Sequence, residues 1–575
     1  MHRSLLAFAT ISISYAAPAE WVERSNQYAR IVLSTMARFS PEGAGSTGME
    51  GVDDQVSILT EARRRESLAA LRKAAADLKR KLDSEKDARV RQDLEIILEA
   101  CQDNIRGSEL SEKYSLPYPR IAQIVFGGLR GLLDDQVAAS RRAAALVRLR
   151  KYAGMEPGHT PIAVQAERRV RERLRNAKLL GPFREAVEQD LARSATFLDG
   201  IGQLFEKYRI TGFEGPLAKL KEQVAAYNAF VKKEVLPRAR TDFRLPPELY
   251  AFSLRQYGVD IEPAELIGMA RAEFTALQTK MDEVAAKVAE ERGWKKKGYR
   301  DVISELKKEQ LVGDAILAHY QQRLAQMEAI VKRENLVTLP GRPARIRISS
   351  AAETAAQPAP NMRPPRLIGN TGESGEFVLP LNIPDKTGKS LQYDDFTFAA
   401  ASWTLTAHEL RPGHEMQFAK MVEAGVSTAR AVFAFNSTNV EGWGLYAEAF
   451  TRPYMPAEGQ LISLQFLLAR AARAFLDPEL QLGKVTADQA RRVLMEDVVL
   501  SEAMARQEVE RYTFRAPGQA TSYYYGYRRL IALREDVERA LGAKFESRRF
   551  HDFILAQGLL PPALLRKAVM REFVQ

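Results

Sequence analysis

Apolar residues recur at three- and four-residue spacing through most of this 575-residue chain, and few architectures accept that pattern. The stripe Leu217, Leu220, Val224, Tyr227 and Val231 is one example, and similar stripes run through 56–105, 128–152, 160–208, 214–236 and 262–335. The period places side chains on one face of an α-helix, so these segments are expected to be amphipathic helices with their stripes in the core. Pro237, Pro246, Pro247 and Pro263 fall between stripes, where proline closes one helix or opens the next. Cys101 sits in a helical apolar stretch and, having no second cysteine to pair with, is expected to be a small core residue.

The pattern changes near Leu339. From Pro340 to Ser390 the chain is rich in Pro, Gly, Thr and Ser, and two runs alternate: Ala344 to Ser349 and Glu376 to Asn382. Both read as short strands. Pro380 would confine the second to a sheet edge, where an extended peptide could add as a further strand, or the pair is a structural hairpin. Helices resume from Asp395. The expected fold is therefore mainly α, a large two-lobed helical structure with a deep cleft and a small β element near residues 340–382. The expected organisation is a signal peptide over 1–19, a helical region over 20–336 and a C-terminal region with the strand element over 337–575, integrated as one domain.

The formal charge of +11 raises the question of an acidic partner. Basic residues alternate with acids, as in Glu61-Ala62-Arg63-Arg64-Arg65-Glu66, which reads as a solvated helix surface. A nucleic-acid face would concentrate Lys and Arg with aromatics, so no nucleic-acid partner is expected. His2-Arg3, the apolar run Leu5 to Ile13 and the small residues before Ala17 and Glu20 have the form of a secretory signal. A mature chain beginning near Ala17 or Glu20 is expected, periplasmic or secreted, with no lipid attachment there because no cysteine follows. No other segment approaches the roughly 18–20 apolar residues of a membrane span.

Six histidines are present, and two fall within seven residues: His408-Glu409-Leu410-Arg411-Pro412-Gly413-His414. A helical H-E-x-x-H puts two imidazoles on one face with the glutamate beside them. Six residues of regular helix rotate by about 600°, which would point the second imidazole about 120° away. Pro412 and Gly413 are expected to make the helix bulge and bring both rings to one face. A chance pairing in a kinked helix is the alternative. Zinc held by protein needs a third ligand. Glu441 and Glu448, seven apart, share one helix face, but Thr438-x-x-Glu441 also fits a capping box, and spacing does not separate cap from ligand.

These residues resemble the DUF885 family of bacterial proteins, related by motif to gluzincin-type zinc peptidases. The pattern HE-x-x-PGH-x-x-Q is matched by His408-Glu409, Pro412-Gly413-His414 and Gln417. EGW-A-LY-x-E is matched by Glu441-Gly442-Trp443, Leu445-Tyr446 and Glu448. PGQA-x-SY followed by glycine is matched by Pro517 to Ala520, Ser522-Tyr523 and Gly526, and Phe550-His551-Asp552 is also similar. Gly444 stands where alanine is usual, Glu415 where a second histidine is common and Tyr524 where lysine is common. None is expected to touch a ligand, while Glu415 and Tyr524 are expected to affect substrate preference.

The resemblance implies Zn2+ held by His408, His414 and Glu441, with Glu409 as general base. Glu448 is then a carboxylate orienting a ligand histidine. Tyr523 is a donor to the oxyanion or a core tyrosine, and Arg511 a partner for a peptide carboxylate or a surface arginine. His551 is expected to be a helix-start hydrogen-bonder. The implied activity is hydrolysis of short peptides, in a carboxypeptidase- or dipeptidase-like manner. The alternatives are an amidase acting on small modified amino acids and an inactive zinc-fold binding protein. The presence of Glu409 counts against the last.

Overall fold

The apolar stripes become helices, among them Glu61–Ser84, Ala88–Tyr114, Arg184–Lys207, Glu214–Phe230 and Pro263–Arg292. The structure is a computed structural model that describes residues 19–313, 315–381 and 394–574, with backbone alone at Ile383–Pro384 and Ser390–Leu391. The proposed signal peptide lies outside the described residues except for Ala19, and the first helix is Glu20–Phe39. Among the described residues no helix is long and apolar enough to cross a membrane. The fold is mainly α with a small β element.

The largest core forms around helix Ala457–Gln481, buried at every position from Leu461 to Gln481. A helix buried on every face must be enclosed on all sides, and its polar side chains, Arg473 and Asp477 among them, find partners there. It packs against Pro263–Arg292 and Thr521–Leu541. A second core gathers residues from Ile121 to Val235, joined by Ala352 and Ala355. A third, smaller core contains Cys101, whose thiol is pushed up to about 11 by burial, in keeping with a structural role. The change from second core to first falls between Val235 and Tyr250, so the helices up to Arg333 pack with the C-terminal half.

The strand region departs from expectation. Three strands, β1 (Arg345–Ile348), β2 (Asn361–Arg363) and β3 (Glu376–Leu379), form a sheet in the order β1-β3-β2. β3 is thus the central strand and not an edge, parallel to β1 and antiparallel to β2. Pro380 stands one residue past the ladder, so its missing N–H costs no pairing there. β3 has no free edge for a peptide, and β1 and β3 are not a hairpin. Between β1 and β2 the helix Ala351–Ala356 starts on a capping box of Ser350 and Glu353. This helix anchors the insertion to the second core through Ala352 and Ala355.

Helix Ser437–Thr451 crosses Thr521–Leu541 at Gly442 and Gly526. A Cβ on Gly526 would lie 1.9 Å from the carbonyl oxygen of Thr438, and one on Gly442 2.6 Å from the Gly526 backbone. Backbone cannot yield as a flexible side chain does. Gly526→Ala is therefore expected to destabilise the protein by about 1–3 kcal/mol, toward the upper end of the range for overpacking. Denaturant unfolding would register this, and an unshifted midpoint would contradict the close crossing.

Candidate metal centre

His408 lies on a π-helical turn, Thr406–Leu410, that continues helix Ala401–Leu405. The helix does not bulge and continue, as the spacing suggested; it stops. Arg411 is extended, the Arg411–Pro412 peptide is cis, and a new helix, His414–Ala424, begins at the second histidine. Gly413 is required for space and not for an unusual φ: a Cβ there would lie 1.9 Å from the His408 carbonyl oxygen. Trp443 Nε1 donates to the Pro412 carbonyl at 3.0 Å, and Gln417 Nε2 donates to Asn439 Oδ1 at 2.9 Å. The first two motifs thus grip each other.

The helix start excludes the cap role for Glu441. Helix Ser437–Thr451 is capped by Asn436, whose side chain accepts from Asn439 N, while Thr438 Oγ1 donates to the Tyr257 carbonyl. Glu441 is free to face the histidines. Its Oε2 lies 3.5 Å from His408 Nε2 and 3.3 Å from His414 Nε2. The three ligand atoms lie within 4.8 Å of one another, and the imidazoles meet nearly edge to face at 78°. Atoms bound about 2.1 Å from a tetrahedral zinc are about 3.4 Å apart, so the two carboxylate–imidazole separations match tetrahedral edges.

The surrounding groups suit a cation. His408 Nδ1 donates to Glu448 Oε1 at 2.7 Å, which turns Nε2 toward Glu441. Glu448 is fully buried and also accepts from Thr404 Oγ1. Burial opposes charge on His408, but Glu441 and Glu448 outweigh it and raise its pKa to about 9. Burial likewise opposes charge on Glu441, and the two imidazoles outweigh it and hold the carboxyl well below its usual range. The cluster asks for positive charge at its centre. Glu409 is also buried; burial pushes its pKa up, and among the described residues its carboxylate has no hydrogen-bond partner.

With a metal on His408, Glu448→Gln is expected to weaken its binding by about 10- to 100-fold, the usual penalty for losing a carboxylate behind a ligating histidine. Competition with a chelator measures it, and an unchanged affinity would leave Glu448 without a role in the site.

Gly444 corrects another expectation, since this departure does touch the two candidate ligand histidines. A Cβ there would lie 2.6 Å from His408 Cε1 and 2.9 Å from His414 Cε1, so both rings close onto the glycine. Glu415 is instead paired with Arg411, and the Tyr524 hydroxyl donates to the Met269 carbonyl. Neither lines the cavity beside the site, which removes the basis for assigning them substrate preference. His551 lies inside helix Ser547–Ala556 and not at its start; it bonds the Leu336 carbonyl and the Tyr446 hydroxyl, both at 2.8 Å. Burial lowers its pKa to about 4, fitting a neutral core histidine.

A cavity of about 410 Å³ opens beside the cluster, with Glu441, Tyr523, Arg511 and Gln519 in its wall. Tyr523 stacks parallel to His408, with ring centroids 6.4 Å apart, and its hydroxyl has no hydrogen-bond partner among the described residues. Burial raises its pKa. Three guanidinium groups face its ring: Arg473 at 4.6 Å, Arg511 at 5.8 Å and Arg470 at 5.9 Å. Arg470 and Arg473 escaped sequence reasoning, as did Glu508, which takes both Arg473 donors at 2.6 and 2.8 Å. A signal existed: Arg470, Arg473 and Asp477 stand at i, i+3 and i+7 in an otherwise apolar helix. Asp477 accepts from Gly518 N at 2.9 Å, and Ser522 Oγ donates to Ser437 Oγ at 2.7 Å, so the third motif docks against the start of the Glu441 helix.

The sequence matches the family described as "Bacterial protein of unknown function (DUF885)" over residues 41–569. No curated protein matches the chain. The fold is similar to the crystal structure of a predicted lipoprotein from Colwellia psychrerythraea, with a TM-score of 0.77 at 19% identity, covering 96% of this chain and 99% of that one. It is also similar to a predicted lipoprotein of unknown function from Shewanella oneidensis, with a TM-score of 0.70 at 19% identity over 96% and 100% of the two chains.

Proposed function

This chain belongs to the DUF885 family, and we propose that it is a zinc-dependent peptidase acting on short peptides, with His408, His414 and Glu441 as the metal ligands. The observation that carries this reading is the convergence of two imidazoles and one carboxylate, with both carboxylate–Nε2 separations near a tetrahedral edge, and with Glu409, which has no hydrogen-bond partner among the described residues, adjacent in sequence. Bound there, zinc supplies polarisation of the scissile carbonyl and a lowered pKa for water. Glu409 takes the proton from the attacking water and passes it to the leaving amine. Its raised pKa suits a group that must both accept and release a proton.

Tyr523 donates to the carbonyl oxygen as negative charge develops on it. Arg511, whose Nη1 is buried without a hydrogen-bond partner among the described residues, takes a substrate carboxylate. A cavity of about 410 Å³ accommodates a few residues and not a folded protein. The N-terminal signal pattern supports work outside the cytoplasm, in the periplasm or beyond the cell. The test is a peptide-library digest read by mass spectrometry, with a parallel set of acylated amino acids. Zinc-dependent cleavage of peptides, abolished by a chelator and restored by zinc, supports the reading. Cleavage of the acylated amino acids alone replaces it with an amidase, and cleavage of neither removes it.

A further inference from the structure

The cavity carries more positive charge than its own acids answer. Its wall contains Arg120, Arg193, Arg511 and Arg515, against Asp190 and the proposed ligand Glu441. Arg515 is paired with Glu510 at 2.6 Å and also donates to Gln189. Arg511 shares Glu508, at 3.7 Å, with Arg473. Arg193 is different: among the described residues its one hydrogen bond goes to the Ala355 carbonyl, and none of their carboxylates lies within ion-pair distance. Arg120, at the exposed end, likewise has no ion pair among the described residues. Asp190 makes no ion pair with either of them: it accepts from Tyr118 at 2.6 Å, and burial pushes its carboxyl up while Arg120 and Arg193 pull it down from a distance. Burial and the neighbouring Arg515 lower Arg193 to about 10, still fully charged at neutral pH. Gln507 Nε2, in the same wall, is buried without a partner.

A half-buried guanidinium with no carboxylate in direct contact has room to bind an arriving anion, and Glu510 and Asp190 act on Arg193 only from a distance. Arg511 already accounts for one carboxylate beside Tyr523, so Arg193 and Arg120 call for a second. The geometry points to a substrate with two carboxylates: a short peptide with an acidic side chain, its terminal carboxylate on Arg511 and its side-chain carboxylate on Arg193. This rests on the peptidase reading and adds its specificity.

The test uses paired dipeptides and tripeptides that differ only in Glu against Gln, with that residue placed on either side of the cleaved bond. For the zinc-loaded wild type, kcat/KM is expected to favour the Glu member of at least one pair by about 10- to 100-fold, the range for a charge-assisted hydrogen bond. Arg193→Gln should collapse that ratio toward one. A wild-type ratio near one for every pair, or a ratio that survives Arg193→Gln, overturns the proposal. Hydrolysis of no peptide would instead count against the peptidase reading. The anion claim is then decided by calorimetric binding of Gly-Glu and Gly-Gln to the Glu409→Gln protein with and without Arg193→Gln. Tighter binding of Gly-Glu that depends on Arg193 supports the claim, and equal binding of the two overturns it.

Discussion

Glu409→Gln is expected to slow peptide hydrolysis by about 100- to 10,000-fold, the range for losing a general base, with zinc content and unfolding midpoint near wild-type values. The amide keeps the volume of the carboxylate but accepts no proton. Because the Glu409 carboxylate has no hydrogen-bond partner among the described residues, the exchange breaks no bond that holds the fold. Burial raises the Glu409 pKa, so removing its charge also relieves a desolvation cost, and stability has no reason to fall. Steady-state kinetics together with elemental analysis check this. A variant working near the wild-type rate with zinc bound would mean that another group takes the proton.

His408→Ala is expected to do the opposite and lose metal and activity together. The substitution removes one of three ligand atoms and strands Glu448, whose closest remaining partners are Thr404 and, at 3.9 Å, Arg470. A buried carboxylate stripped of its donor costs about 1–3 kcal/mol, so the midpoint should fall as well. Activity should drop to background, and added zinc should not restore it at concentrations that saturate the wild type. Retention of a full zinc equivalent would place the metal elsewhere. Set side by side, the two variants separate proton transfer from metal binding.

Much of this arrangement was legible in the residues. The stripe from Leu217 to Val231 predicted a buried helix face, and Leu217, Leu220, Val224, Tyr227 and Val231 are all buried. The motif histidines and Glu441 converge as the family resemblance implied. The route to that convergence was not legible, because spacing describes one helix and the chain uses two. Pro412 and Gly413 correctly marked a break, yet nothing local says whether a helix bulges or ends. Pro380 misled for a related reason: a proline removes only its own N–H from a ladder, and β3 finishes one residue earlier. The competing roles of Glu441 could not be separated by periodicity, since the true cap, Asn436, lies just outside the Thr438-x-x-Glu441 window. Arg470, Arg473 and Glu508 stayed hidden because their purpose depends on Tyr523, distant in sequence and adjacent in space. Gly444 looked like a harmless departure because a missing methyl matters only when something occupies its place, and two imidazoles do.

The central claim is that zinc sits among His408, His414 and Glu441, and anomalous diffraction from zinc-soaked crystals tests it most directly. Data collected on either side of the zinc absorption edge should give one strong difference peak per chain, about 2.0–2.2 Å from both Nε2 atoms and a Glu441 carboxylate oxygen. A map with no peak there, or with its strongest peak at other residues, would contradict the account.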